Sequence, residues 1–133
     1  MLFVADNSVV IGWFSRSQAT PYTDRYYRKL EKDEVVVPSV WPYEFANVLA
    51  VLERRRILTA RLVDEILAAA ARLITRIDSP PASPPVLVGM ARRHGLSSCD
   101  AAYLELAQRL GVRLAAKDSP LAAAAAKLGL LAG

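Results

Sequence analysis

The sequence is short of the residues that most often carry nucleophilic or zinc chemistry. Cys99 is the only cysteine and His94 the only histidine among 133 residues. A single cysteine excludes an internal disulfide, and with it any Cys-x-x-Cys or mixed Cys/His zinc site. A single histidine excludes a His-rich metal centre and leaves little basis for a nucleophile paired with an imidazole. Acidic residues are also sparse, 13 against 17 lysines and arginines, giving a formal net charge of +4 and a pI near 9.5. That balance suits a phosphate-rich partner without requiring one. No apolar run approaches the ~20 residues of a membrane span. The N-terminus opens on a strand-like run rather than a basic segment, so no signal peptide is expected and the cytoplasm is the default location.

What is present is apolar. Hydrophobic residues make up 53% and the mean hydropathy is +0.22, a composition that favours folding over disorder. The length predicts one domain over residues 1–133, with apolar surface to spare for a partner chain. Short apolar runs at Leu2–Ala5, Glu34–Pro38, Leu73–Ile77 and Val112–Ala116 read as strands, and Leu130–Leu131 as a short final one. Between them, helical stretches are expected over Val9–Phe14 (capped by Ser8), Asp24–Leu30, about Trp41–Arg56, Ala60–Leu73 (capped by Thr59) and from Ser83 to His94. Two more follow, from a Ser98 cap to Gly111 and over Pro120–Lys127. Ser79–Pro85 is Pro/Ser-rich and too short for a linker. Alternating strands and helices predict an α/β fold, a mostly parallel sheet covered on both faces.

Four isolated carboxylates stand out: Asp6, Glu44, Asp100 and Asp118. Asp6 and Asp118 each follow a strand, which puts them at one sheet edge if those strands are parallel neighbours. Ligands of such sheets bind beyond the strands' carboxyl ends, where the strand order switches. Asp100 and Glu44 fall in the first turns of helices. Gathered together, four carboxylates would repel one another and remain ionised only with a cation to offset the charge. Mg²⁺ takes oxygen ligands and retains several waters, often sharing phosphate oxygens, so the suggested chemistry is metal-assisted phosphodiester hydrolysis. Each residue also has an ordinary reading: Asp6 and Asp118 as helix caps, Asp100 as a dipole partner, Glu44 as a solvated helix residue. Ser8 could touch a metal-bound water and Asn47 shares Glu44's helix face. Glu105 reads as solvated and His94 as a helix-end residue.

In context the segments resemble the PIN domain, and within it the VapC-type toxins of toxin–antitoxin pairs. The matching stretches are Val4-Ala5-Asp6-Asn7-Ser8-Val9 and Val37-Pro38-Ser39-Val40-Trp41-Pro42-Tyr43-Glu44-Phe45-Ala46-Asn47-Val48-Leu49. His94-Gly95-Leu96-Ser97-Ser98-Cys99-Asp100-Ala101-Ala102-Tyr103-Leu104-Glu105-Leu106-Ala107 and Leu114-Ala115-Ala116-Lys117-Asp118 complete the set. The resemblance implies a three-layer α/β/α sandwich and a Mg²⁺- or Mn²⁺-dependent ribonuclease whose ligands match Asp6, Glu44, Asp100 and Asp118. It also implies a cognate antitoxin that blocks the site, toxin dimerisation and a toxin–antitoxin hetero-oligomer. Two positions depart from the pattern: Ala116 stands where a hydroxyl residue is common, and Cys99 where an aromatic is common.

Arg54–Arg56, Arg92, Arg93, Arg109 and Arg113 are candidate phosphate contacts, since arginine presents a bidentate fork. Trp13, Phe14, Tyr26, Tyr27, Trp41 and Tyr43 are expected in the core or at an interface. Two other classes compete: a non-catalytic PIN-like RNA- or protein-binding module, and a receiver-like signalling domain using Asp78 as phosphoacceptor.

Overall fold

The computed structural model describes all residues, Met1–Gly133. Four parallel strands, β1 (Leu2–Ala5), β2 (Glu34–Val37), β3 (Arg76–Ile77) and β4 (Arg113–Ala115), form one sheet in the order β3-β2-β1-β4. The chain steps outward from β1 to β2 to β3, then crosses back so that β4 lies on the other side of β1. Right-handed crossovers therefore place the helices before β3 on one face and those between β3 and β4 on the other. The first set comprises α1 (Asn7–Phe14), α2 (Pro21–Lys29), α3 (Trp41–Arg54) and α4 (Ala60–Leu73). The second comprises α5 (Pro84–His94) and α6 (Ser98–Leu110), followed after β4 by α7 (Pro120–Lys127). This is the expected α/β/α sandwich.

The inner strands β1 and β2 are apolar from Leu2 and, after exposed Glu34, from Val35, because both faces are covered. Val4, Ala5, Val37, Leu114 and Ala115 are fully buried, in a core that also takes Leu49 from α3, Tyr103, Leu104 and Ala107 from α6, and Ala125 from α7. α1 and α2 cross at Gly12, where a Cβ would stand 2.8 Å from the Thr23 methyl carbon. Thr23 is itself locked, its hydroxyl donating to the Thr20 carbonyl and accepting from the Thr20 N–H.

Several boundaries differ from expectation. Ser8 does not cap α1; the cap position is Asp6 and helix begins at Asn7. α2 starts earlier, at Pro21, because Thr20 and Thr23 form a reciprocal capping box that outweighs the proline. Ser97, not Ser98, caps α6 by accepting from the Asp100 N–H. Ser119, not Asp118, caps α7. β3 is only two residues long, because Leu73 and Ile74 finish α4 and turn into the core instead of extending an edge strand. The expected final strand is a single bridge from Leu131 to Leu114.

Candidate active site

The strand order reverses between β1 and β4, and their carboxyl ends form the crevice where ligands of open parallel sheets bind. Asp6 occupies that crevice. Its N–H continues the ladder to the Ala115 carbonyl at 2.9 Å, so its backbone is set by both strands before α1 departs. Asp6 holds the N-cap position of α1 with extended φ and ψ, yet its carboxylate makes no cap hydrogen bond. Instead Oδ2 accepts from the Ser8 hydroxyl at 2.6 Å. The cap that sequence suggested for both residues is thus replaced by a side-chain pair that aims a charge at the sheet edge.

Glu44 reaches the same edge from the first turn of α3, and Asp100 from the first turn of α6. The three carboxyls feel one another. Burial is the main cause that raises the Asp6 pKa above the ordinary carboxylate range, with the Ser8 hydroxyl and the charge of Lys117 opposing it. Burial likewise raises Glu44, and the charges of Asp6 and Asp100 push it further. Asp100 is raised by burial first and by Asp6 second. Each is more costly to ionise in the fold than in water because solvent is partly removed and like charges are added.

Tyr103 completes the arrangement. It lies three residues after Asp100 on α6, hence on the same helix face, and is fully buried. Its hydroxyl donates to Glu44 Oε1 at 2.7 Å. Burial and the Glu44 charge raise the phenol far above its usual range, so it stays a donor. Sequence reading gave Tyr103 no role; its three-residue spacing from Asp100 was the available signal. Lys117 was also passed over. Its Nζ donates to the Gln18 carbonyl at 2.9 Å, and its charge favours ionised Asp6.

Asp118 is not brought into this group. It is exposed in the turn before α7, beside a cavity of about 420 Å³ shared with Tyr22, Ala116 and Lys117, and it perturbs none of the other three carboxyls. Asn47, one turn beyond Glu44, is exposed and makes no side-chain hydrogen bond. Cys99 is half-buried beside the cluster, its thiol pKa raised by burial and then by Glu44 and Asp100.

The arginines divide. Arg109 is occupied, donating to Asp78 and to Glu105 Oε1 at 2.7 Å, so it is not a free phosphate contact and Glu105 is an ion-pair partner rather than a solvated residue. Arg113 sits at the start of β4, at the opposite end of the sheet, and donates to the Leu131 carbonyl. Arg54–Arg56 lie at the far end of α3, about 15 Å along the axis from Glu44 at 1.5 Å per residue. Arg92 and Arg93 lie in the last turn of α5, close in the chain to the start of α6, and Arg93 lines a groove with Glu105, Gln108 and Arg109. Among the aromatics, Tyr26 and Trp41 are buried, whereas Tyr43 beside Glu44 is 79% exposed.

Residues 3–127 match the PIN domain. The chain belongs to the PIN family. Members are typically nucleases and usually bind divalent metals, and family membership removes the receiver-like alternative; Asp78 is moreover held in its ion pair with Arg109. Among solved structures, PAE2754 from Pyrobaculum aerophilum aligns with a TM-score of 0.67 at 16% identity, over 93% of this chain and 84% of that one. VapBC2 from Rickettsia felis, bound to a DNA fragment from their promoter, aligns with a TM-score of 0.65 at 9% identity, over 89% and 88%. At such identities the likeness speaks for the PIN fold alone. No curated protein matches the sequence.

The donor set suits a hard divalent cation. Asp6, Glu44 and Asp100 offer only oxygen, the preference of Mg²⁺ and Mn²⁺. The one cation acting on Asp6, Lys117, spends a hydrogen bond on Gln18 and leaves the cluster with net negative charge. No three of its Asp, Glu, His or Cys side chains stand together as a ready ligand set.

Proposed function

We propose that this PIN domain is a Mg²⁺- or Mn²⁺-dependent endoribonuclease acting as the toxin of a toxin–antitoxin pair. The observation that carries the reading is the convergence of Asp6, Glu44 and Asp100, from three separate elements, on the switch point of the sheet. These three would hold the cation, with Asp118 as an outer ligand at the rim and Asn47 positioning from one turn along α3. When bound, such an ion acidifies water and offsets charge on the leaving oxygen. The chain's own residues orient the site. Ser8 fixes one Asp6 oxygen by donating its hydroxyl hydrogen bond to it. Arg92 and Arg93 offer cationic forks to an incoming RNA strand on the α5–α6 side.

The likeness to the VapBC2 chain supports a cognate antitoxin partner; that antitoxin would cover the site, within a hetero-oligomer built on a toxin homodimer. An RNA target places the activity in the cytoplasm; no helix is long and apolar enough to cross a membrane. The test is cleavage of RNA by purified protein with and without Mg²⁺. Asp6→Asn and Asp100→Asn should each abolish product with the circular dichroism spectrum unchanged. Cleavage that survives both substitutions overturns the proposal. A non-catalytic PIN-like module that binds RNA or protein is the second reading, favoured by Ala116 in place of a hydroxyl and by the exposed Asp118. Undiminished RNA binding with no metal-dependent product on any RNA would establish it.

A further inference from the structure

We propose that Tyr103 is a positioning residue that aims Glu44 at the bound cation, so that the α6 motif contributes two functions from one helix face: Asp100 as ligand and Tyr103 as the clamp on a ligand from α3. This rests on the metal-site reading above. Three observations support it. Tyr103 is completely inaccessible, so its hydroxyl has no water to bond and must find a protein acceptor. The acceptor it finds is neither a backbone carbonyl nor a neutral side chain but Oε1 of Glu44, at 2.7 Å, a charge-assisted geometry. The bond spans 59 residues of sequence and joins elements on opposite faces of the sheet.

The contact removes a freedom that Glu44 would otherwise have. A glutamate in a first helical turn has three rotatable side-chain bonds, and like charges at Asp6 and Asp100 drive it outward to solvent. One oxygen clamped by Tyr103 holds the carboxylate inside the cluster against that repulsion and leaves the second oxygen to face the cation. Asp100 and Glu44 are then referenced to one buried ring, the first through α6 and the second through its hydrogen bond. Partners of this kind, behind the ligands, usually govern metal affinity by tenfold to a hundredfold.

The experiment measures Mn²⁺ binding to the full chain by isothermal titration, with no RNA present. Tyr103→Phe should weaken the Mn²⁺ dissociation constant by about tenfold or more. Because the tyrosine acts through Glu44, the double variant Tyr103→Phe with Glu44→Gln should bind no more weakly than Glu44→Gln alone. Mn²⁺ affinity within about threefold of wild type, or losses that add in the double variant, overturns the inference. If Tyr103→Phe does not fold, 4-methylphenylalanine in place of Tyr103 fills the hydroxyl's volume without a donor, and the same losses are expected. Asp6→Asn measured in parallel separates the two proposals. Full Mn²⁺ affinity in that variant defeats the metal site and the clamp together. Lost affinity there with full affinity in Tyr103→Phe defeats the clamp alone.

Discussion

Asp100→Asn should stabilise the metal-free protein while destroying its activity. At neutral pH the ionised Asp100 is partly desolvated and repelled by Asp6, and both effects oppose folding. Over separations of about 4–8 Å, two unit charges interact by roughly 0.5–1 kcal/mol at the dielectric of water and by about 2–4 kcal/mol at an effective value of 20. Asp100 is only half-buried, so solvent screening favours the lower part of that range. Against this, asparagine forfeits the attraction of a carboxylate to the positive end of α6, about 0.3–1 kcal/mol. It keeps an oxygen that can accept from Ser97. The balance is a gain of about 1 kcal/mol. At an unfolding entropy of about 2.1 cal/mol/K per residue, that raises the melting temperature of a domain this size by about 4 °C. The assay is calorimetry in EDTA at low salt and pH 7.5, repeated with Mg²⁺. The gain should vanish below the carboxylate range, where wild type is already protonated, and Mg²⁺ should stabilise wild type more than the variant. A metal-free melting temperature at or below wild type at pH 7.5, with unchanged secondary structure, refutes the view that the three carboxylates oppose one another in the fold.

Other consequences are simpler to read. Because Asp6, Glu44 and Asp100 have folded-state pKa values above their unfolded ones, the native metal-free chain binds more protons between the two, and stability falls as pH rises through the folded values. Melting temperatures in EDTA should therefore fall as pH rises from the unfolded carboxylate range, about 4, towards 7.5, and saturating Mg²⁺ should flatten the drop. Gly12→Ala gains up to about 1 kcal/mol of helix propensity, but places a methyl against Thr23 atoms at 2.8–2.9 Å. Thr23 is pinned by its capping box, so a net loss of about 1–2 kcal/mol and a melting temperature lower by about 4–7 °C are expected. Arg56→Gly should raise stability by about 1 kcal/mol, because Arg56 holds φ +58° just past α3 while exposed, and glycine adopts that conformation without strain.

The alternation of strands and helices was legible because buried parallel strands leave continuous apolar runs: Phe3-Val4-Ala5, Val35-Val36-Val37 and Leu114-Ala115 are all core. Helix starts were less so. Ser8 and Ser98 are good capping residues beside the true cap positions, and which of two neighbouring serines accepts a backbone N–H depends on where the chain enters. Ser8 was diverted to Asp6, and Ser97 took the cap of α6. The edge strand was overcalled because Leu73 and Ile74 are equally content at the end of an amphipathic helix. Within the site, Asp6 followed from its place after β1, since the fold family fixes what lies at that edge. The Lys117–Gln18, Tyr103–Glu44 and Arg109–Asp78 pairings were not legible, because partners 31 to 99 residues apart leave no local pattern.

The site also shows why its carboxylates are scattered through the chain. Two acidic residues on one helix turn already meet when that helix forms by itself, so their repulsion does not require the tertiary fold. Asp6, Glu44 and Asp100 are far apart in sequence and meet only when β1, α3 and α6 are assembled. Their repulsion is thus a property of the native state alone, and on the proposed function so would be the affinity for the cation that relieves it. The supports are also drawn from distant segments: Ala115 of β4 fixes the Asp6 backbone, Ser8 its side chain, and Tyr103 of α6 holds Glu44 of α3. Partial unfolding of any one of these elements removes a ligand or its clamp and relaxes the charge cluster at once. Folding, cation affinity and hydrolytic competence should therefore be lost together. A titration in which Mn²⁺ affinity outlasts the tertiary signal in urea would contradict that coupling.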